Sequence, residues 1–171
     1  LCPELRSAER WKQRGWSIIL QEAARQVRGD GLHFEQSVYY HVYALDFLLH
    51  STILASLNQS PIPATLQQTI VKMLEALCLL GRSGSPPRLG DDDGGRLFDG
   101  HRNRNKHMLD PLATGASLFR RGDFKSVARE FPEESLWLLG KTGLVVWDQL
   151  TASEPKPESV ALEAGGLYSM V

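Results

Sequence analysis

The sequence has no cysteine framework, no long apolar run and no excess of charge of one sign, and each absence removes a class of function. Its two cysteines, Cys2 and Cys78, give neither a metal-ligand spacing nor the set of half-cystines that a disulfide-stapled small domain needs. Charged residues break every apolar stretch well short of the roughly 18 residues that a spanning helix requires. The 19 basic and 20 acidic side chains leave a net charge of -1, which provides no global field for holding nucleic acid or an anionic membrane surface. Any anion-binding role is therefore local. No signal-peptide pattern is present, and the opening Leu1-Cys2-Pro3-Glu4 carries no initiator Met, so we expect an internal piece of a longer protein.

What is present is helical period. At 171 residues and 42% hydrophobic, the chain can bury one sizeable core. From Glu4 to Arg28 the residues Trp16, Ile19, Leu20, Ala23, Ala24 and Val27 recur at three- and four-residue steps, which predicts a helix ended by Arg28-Gly29-Asp30-Gly31. Ser37 is a suitable N-cap for a second helix to about Leu57, with Tyr40, Ala44, Phe47, Leu48 and Leu54 along one side. A third follows Pro63 and runs to Gly81, burying Leu66, Ile70, Leu74, Leu77 and Cys78. Short connections between three such helices predict antiparallel neighbours, and no substantial sheet is expected before residue 150.

From Gly81 to Lys106 the period is lost in a stretch rich in Gly, Pro, Asp and Arg, unusually long for a mere connection. Asp110-Pro111 opens a further helix through Phe119, and shorter ones are expected over Phe124–Glu130 and Glu133–Leu139. After residue 150 the alternation of Val160-Ala161-Leu162 and of Gly165 to Val171 is strand-like.

Three segments could carry chemistry. Asp30-Gly31-Leu32-His33-Phe34-Glu35-Gln36-Ser37-Val38-Tyr39-Tyr40-His41 concentrates polar and aromatic groups in a loop and a first helical turn, where Tyr and His can exchange protons with a ligand. Its plainer reading is two half-buried packing tyrosines with bonded hydroxyls. Gly90-Asp91-Asp92-Asp93-Gly94-Gly95-Arg96 invites a calcium reading, yet it lacks the alternate ligands and distal Glu of an EF-hand and reads better as a loop tied by its own Asp side chains. His101-Arg102-Asn103-Arg104-Asn105-Lys106-His107 is a solvated run or, facing a cleft, a set of guanidinium forks for carboxylates or sulfates. Gly140-Lys141-Thr142 lacks the first glycine of a phosphate loop, since Ser135 stands there, and Arg121-Gly122-Asp123 is most simply a turn. Neither a metal nor a cofactor is expected.

The first two segments, about fifty residues apart and in this order, resemble the heparinase II/III-like polysaccharide lyases, a bacterial family that includes heparin, heparan and alginate lyases. The resemblance covers nearly the whole chain. It implies an all-α fold of helical hairpins forming part of an incomplete α/α toroid, followed by the first strand of a β-sandwich domain. Residues 1–150 would be the partial toroid domain, and 151–171 a linker and the start of the truncated sandwich.

It also implies β-elimination on a uronic-acid polysaccharide. In the family's Ser-x-x-Tyr-His pattern, here Ser37-Val38-Tyr39-Tyr40-His41, the Tyr is the acid and in some members the base. Tyr40 is thus the catalytic candidate and Tyr39 the fallback, with Val38 standing where many members carry Pro. His33, Glu35, Gln36, His41, Asp91, Asp93 and Arg96 are substrate-binding or cleft-forming candidates. The remaining catalytic groups are expected upstream of Leu1 and downstream of Val171, so the isolated chain should be inactive and, through apolar surface on its first helix, prone to self-association. By the same resemblance the parent is periplasmic or secreted, and its partner is an acidic polysaccharide rather than nucleic acid. The competing reading is a non-catalytic helical scaffold binding carbohydrate or a protein; a third, a helical glycosidase, needs two carboxylates facing across a cleft at roughly 5–10 Å.

Overall fold

A computed structural model of the chain describes residues 3–92 and 107–171. Its elements run α1 (Ala8–Gln26), α2 (Val38–Leu57), α3 (Ala64–Gly81), α4 (Asp110–Phe119), α5 (Gly122–Ala128), α6 (Glu133–Gln149), β1 (Val160–Leu162) and β2 (Leu167–Ser169). Helix α3 buries Leu66, Ile70, Met73, Leu74, Leu77 and Cys78, the face set by its apolar period. It is the centre of the core, packed by α1, α2, α4 and α5. Leu45 and Leu49 of α2, Leu112 and Ala116 of α4 and Phe124 of α5 close on it and are inaccessible to solvent or nearly so. Each such Leu or Phe side chain contributes about 1.5–3 kcal/mol through removal from water.

Two expectations about faces and lengths need correction. On α2, Phe47 and Leu54 lie 40% and 39% exposed, while Leu45, Leu49 and Ile53 are buried. This helix is apolar around most of its circumference, so period alone does not choose its inner side. Helix α6 continues to Gln149, ten residues beyond the expected Leu139, with a kink at Gly140, whose φ of 62° lies outside helical space. A glycine in left-handed space is also how helices end, so local sequence does not distinguish this kink from a stop.

The connection between α1 and α2 folds back on α1. Val27 pairs with His33 in an isolated antiparallel bridge, and the amide of Phe34 donates to the carbonyl of Gln26 at 2.8 Å. Gly31 makes the reversal with φ of 92°, against the backbone carbonyl of Lys72 on α3. Strands β1 and β2 form an antiparallel pair in the register Val160 to Ser169, Ala161 to Tyr168 and Leu162 to Leu167. Among the described residues the chain before residue 150 contains no strand, only that one bridge. No helix of the described residues is long and apolar enough to cross a membrane.

Candidate functional site

Helix α2 starts where a hydroxyl can cap it. Ser37 Oγ accepts from the amide of Tyr40 at 3.1 Å and donates to the carbonyl of Asp91 at 2.6 Å, while the amide of Val38 donates to the carbonyl of Leu89 at 3.0 Å. Gly90, with φ of 73°, lies directly against Ser37 and leaves no room for a Cβ. The beginning of the Asp-rich loop is thereby stitched to the helix start that carries Tyr40. Asp91 takes part through its backbone. Asp93 and Arg96 fall outside the described residues, and so does the His101–Lys106 part of the basic run.

A cleft of about 530 Å³ opens between α1 and α2, with Glu22, Gln26, His33, Glu35, Tyr40 and Tyr43 as its polar lining and Ile18, Phe47 and Leu48 among its apolar walls. Three of the expected residues, Tyr40, His33 and Glu35, meet there. Tyr40 is half-buried; Tyr39 is buried beside it, the two ring centroids 6.1 Å apart, and does not line the cleft. Of the two tyrosines, Tyr40 is the one that lines the cleft.

His33 is 4% exposed, and burial lowers its pKa. Its Nε2 lies 3.2 Å from Gln26 Oε1, and Gln26 Nε2 in turn donates to Glu22 Oε2 at 2.7 Å. With the amide oriented in this way, the neutral imidazole carries its proton on Nε2. The hydrogen bond from Gln26, and then one from Arg25, holds the Glu22 carboxyl below its usual range. The sequence reading missed Glu22 and Gln26. Their only signal was four-residue spacing on the face of α1 that turns toward the loop, and it becomes visible once the loop is known to fold back.

His41 has a different position from the one anticipated for it. It is 1% exposed, with Nε2 bonded to the carbonyl of Met73 at 3.0 Å and Nδ1 accepting from the amide of His33 at 3.4 Å. Burial lowers its pKa to about 4, so it is neutral near pH 7 and ties α2, α3 and the loop together. Gln36, with φ of 57°, turns its side chain away from the cleft and donates to the carbonyl of Gly165 at 2.6 Å.

Among the described residues, one group of side chains lies within metal-binding reach. Asp46 and His50 of α2 and Glu134 of α6 bring ligand atoms within 4.8 Å of one another, with His50 Nε2 at 3.4 Å from Glu134 Oε1. Each of the three also has a further polar or electrostatic contact, and the group links α2 to α6. Arg121, Gly122 and Asp123 open α5 rather than forming a free turn, the Arg121 guanidinium holding the Asp123 carboxylate at 2.6 Å and its pKa below the usual range.

Comparison with known proteins places this geometry in a family. The family described as Heparinase II/III N-terminus matches residues 1–119. The chain belongs to the heparinase II/III family. Within that family, a heparin-sulfate lyase of Pedobacter heparinus is 35% identical over 92 residues, 52% of this chain and 14% of that protein. A heparin-sulfate lyase of Bacteroides thetaiotaomicron is 32% identical over 79 residues, 45% of this chain and 11% of the relative. The crystal structure of a mutant of the heparan sulfate lyase HepC from Pedobacter heparinus superposes with a TM-score of 0.65 at 26% identity, covering 99% of this chain and 23% of that one. The unmutated HepC gives 0.64. The chain thus spans a small part of the length of the relatives it matches. As a heparinase II/III member it has the expected class: helical hairpins of an incomplete α/α toroid, with strands among the described residues only at its C-terminal end.

Proposed function

We propose that the chain is the cleft-bearing helical part of a lyase that cleaves a uronic-acid-containing polysaccharide by β-elimination, with Tyr40 as the acid and, in its phenolate form, the base. The observation that carries this reading is the half-buried Tyr40 beside a Ser37 cap, in a cleft of a chain matching the heparinase II/III family over residues 1–119. In the reaction a proton leaves the carbon next to the uronate carboxylate, and the glycosidic oxygen departs from the neighbouring carbon with a proton returned to it. A phenol of ordinary pKa near 10 serves as that acid directly, whereas use as a base requires nearby positive charge to favour the phenolate. Residues 1–150 form the toroid part in this reading, and the β1–β2 hairpin is the entry to a β-sandwich.

The test uses the full-length protein against a panel of uronate polymers with heparan sulfate among them, following the ultraviolet absorbance of the unsaturated product. Tyr40→Phe is expected to lower kcat by roughly 10²–10⁴, the usual worth of a positioned acid–base group, while Tyr39→Phe has a far smaller effect. Full activity in Tyr40→Phe would remove Tyr40 from the mechanism.

One feature favours the scaffold alternative. The cleft lining contains two carboxylates, Glu22 and Glu35, and neither Lys nor Arg, so among the described residues this cleft supplies no cation for a polyanion. Carbohydrate binding by a full-length protein that turns over no uronate polymer would establish that alternative.

A further inference from the structure

The loop 28–36 faces two ways. On one side it carries His33 and Glu35 into the cleft and leads to the Ser37 cap beneath Tyr40; on the other it grips the turn of the β1–β2 hairpin. Gly165 is held from both of its backbone polar groups: its amide donates to Asp30 Oδ2 at 2.7 Å, and its carbonyl accepts from Gln36 Nε2 at 2.6 Å. The Arg28 guanidinium donates to the carbonyl of Ala164 and, at 3.1 Å, to that of Phe34 within the loop itself. Asp30 Oδ1 accepts from the amide of Leu32 at 3.2 Å, so one carboxylate shapes the loop with one oxygen and holds the turn with the other. Leu32 fills the space against which Gly165 sits, and a Cβ on that glycine would overlap it. At the far end of the hairpin, Arg82 donates to the carbonyl of Glu158 and to Ser169 Oγ, each at 2.8 Å.

We propose that Arg28, Asp30 and Gln36 are positioning residues: they seat the hairpin turn so that it braces the loop that sets His33 and the first turn of α2, and thereby Tyr40. This rests on the lyase reading for its catalytic consequence, though the bracing does not. The physical reason is local. A connection of eleven residues between α1 and α2, reversed at a glycine, has no regular ladder of its own beyond the Val27–His33 bridge, so its remaining backbone polar groups depend on partners from outside it. The partners that fix it lie some 130 residues away in the chain, at 129, 135 and 136 positions' separation. Loss of the seat therefore frees both sides at once.

The experiment measures amide hydrogen exchange in this chain for Asp30→Ala, Gln36→Ala and Gly165→Ala. Gly165→Ala is the informative variant, since that residue bonds to neither Phe34 nor Tyr40. Exchange at Phe34 and Tyr40 is expected to rise by about tenfold in it, with the amides of α3 unchanged. A hairpin that loosens while Phe34 and Tyr40 keep their protection would overturn the bracing. In the full-length protein, Asp30→Ala should lower kcat by about tenfold or more with KM held within about twofold, because positioning acts on the reacting geometry more than on ground-state binding. An unchanged kcat alongside coupled exchange would overturn the catalytic part of the inference. A wild-type protein inert toward every uronate polymer, with exchange still coupled, would instead remove the lyase reading and leave the seat standing.

Discussion

The segment 28–41 and the α4–α6 region both bury polar groups, and the two use them differently. In α4–α6, Thr114 Oγ1 and Ser135 Oγ meet at 2.8 Å, Ser117 Oγ donates to the carbonyl of Gly143 at 3.1 Å, and Lys125 Nζ donates to the carbonyls of Trp147 and Leu150 at 2.6 and 2.8 Å. These bonds run between neighbouring helices and replace the water that each group gave up. In 28–41 the bonds go to a distant hairpin, to α3 and to the start of the Asp-rich loop, and the segment borders an open cleft. Buried polarity by itself marks packing. The segment 28–41 combines buried polarity with a cleft and a half-buried Tyr at its edge.

The largest expected contrast is catalytic. In the full-length protein Tyr40→Phe should cost roughly 10²–10⁴ in kcat, whereas Ser117→Ala should leave kcat within about twofold, as measured by release of unsaturated product. Comparable losses from both would erase the distinction between the two regions.

Next is the reversal itself. Gly31→Ala places a side chain at φ of 92° and against the Lys72 backbone carbonyl, and neither the turn nor α3 can yield cheaply. A loss of about 2–4 kcal/mol in urea unfolding is expected, combining left-handed strain with overpacking. A loss below about 0.5 kcal/mol would show that the loop shifts freely and is not rigidly placed.

The buried imidazole gives a pH signature of similar size. His41 has a folded pKa of about 4, against an unfolded value of about 6.5, so the unfolded state binds the extra proton between those limits. Its stabilisation is fully present above about pH 6.5 and is lost as pH falls toward about 4, a change on the order of 3 kcal/mol in which the lowered pKa of His33 acts with the same sign. Urea midpoints at several pH values should fall through this window in the wild type. They should fall less steeply in His41→Gln, whose amide can still donate to the carbonyl of Met73. An equal slope in the variant would place the titration elsewhere.

The smallest effect belongs to the helical region. Ser117→Ala removes a donor from the Gly143 carbonyl, at an expected cost of about 1 kcal/mol measured by thermal unfolding. The thiol of Cys78, pushed up to about 12 by burial, should react with a thiol reagent only on unfolding, again as packing residues do.

Much of the helical frame was legible. Helix α3 followed its apolar period residue for residue, Ser37 capped α2 as read, and Asp110-Pro111 opened α4, although Leu109 rather than Asp110 takes the cap position. These features depend on neighbours three or four residues away, which is the range that sequence period reports. The Ser-x-x-Tyr-His resemblance pointed to Tyr40 first, and Tyr40 lines the cleft whereas Tyr39 is buried away from it.

What the tertiary structure alone decided concerns partners far apart in the chain. Nothing local says that His41 is bonded to Met73 rather than to solvent, that Gln36 turns toward Gly165, or that Gln26 reaches His33 while donating to Glu22. Helix α2 is apolar on nearly every side, so its inner face was chosen by α3 and not by its own pattern. The sequence by itself determined which segments become helices, and where most of them stop, α6 excepted. The assignment of polar residues to cleft, core or hairpin seat came from the packing of helices and strands, because a polar side chain takes its role from the partner it meets on burial.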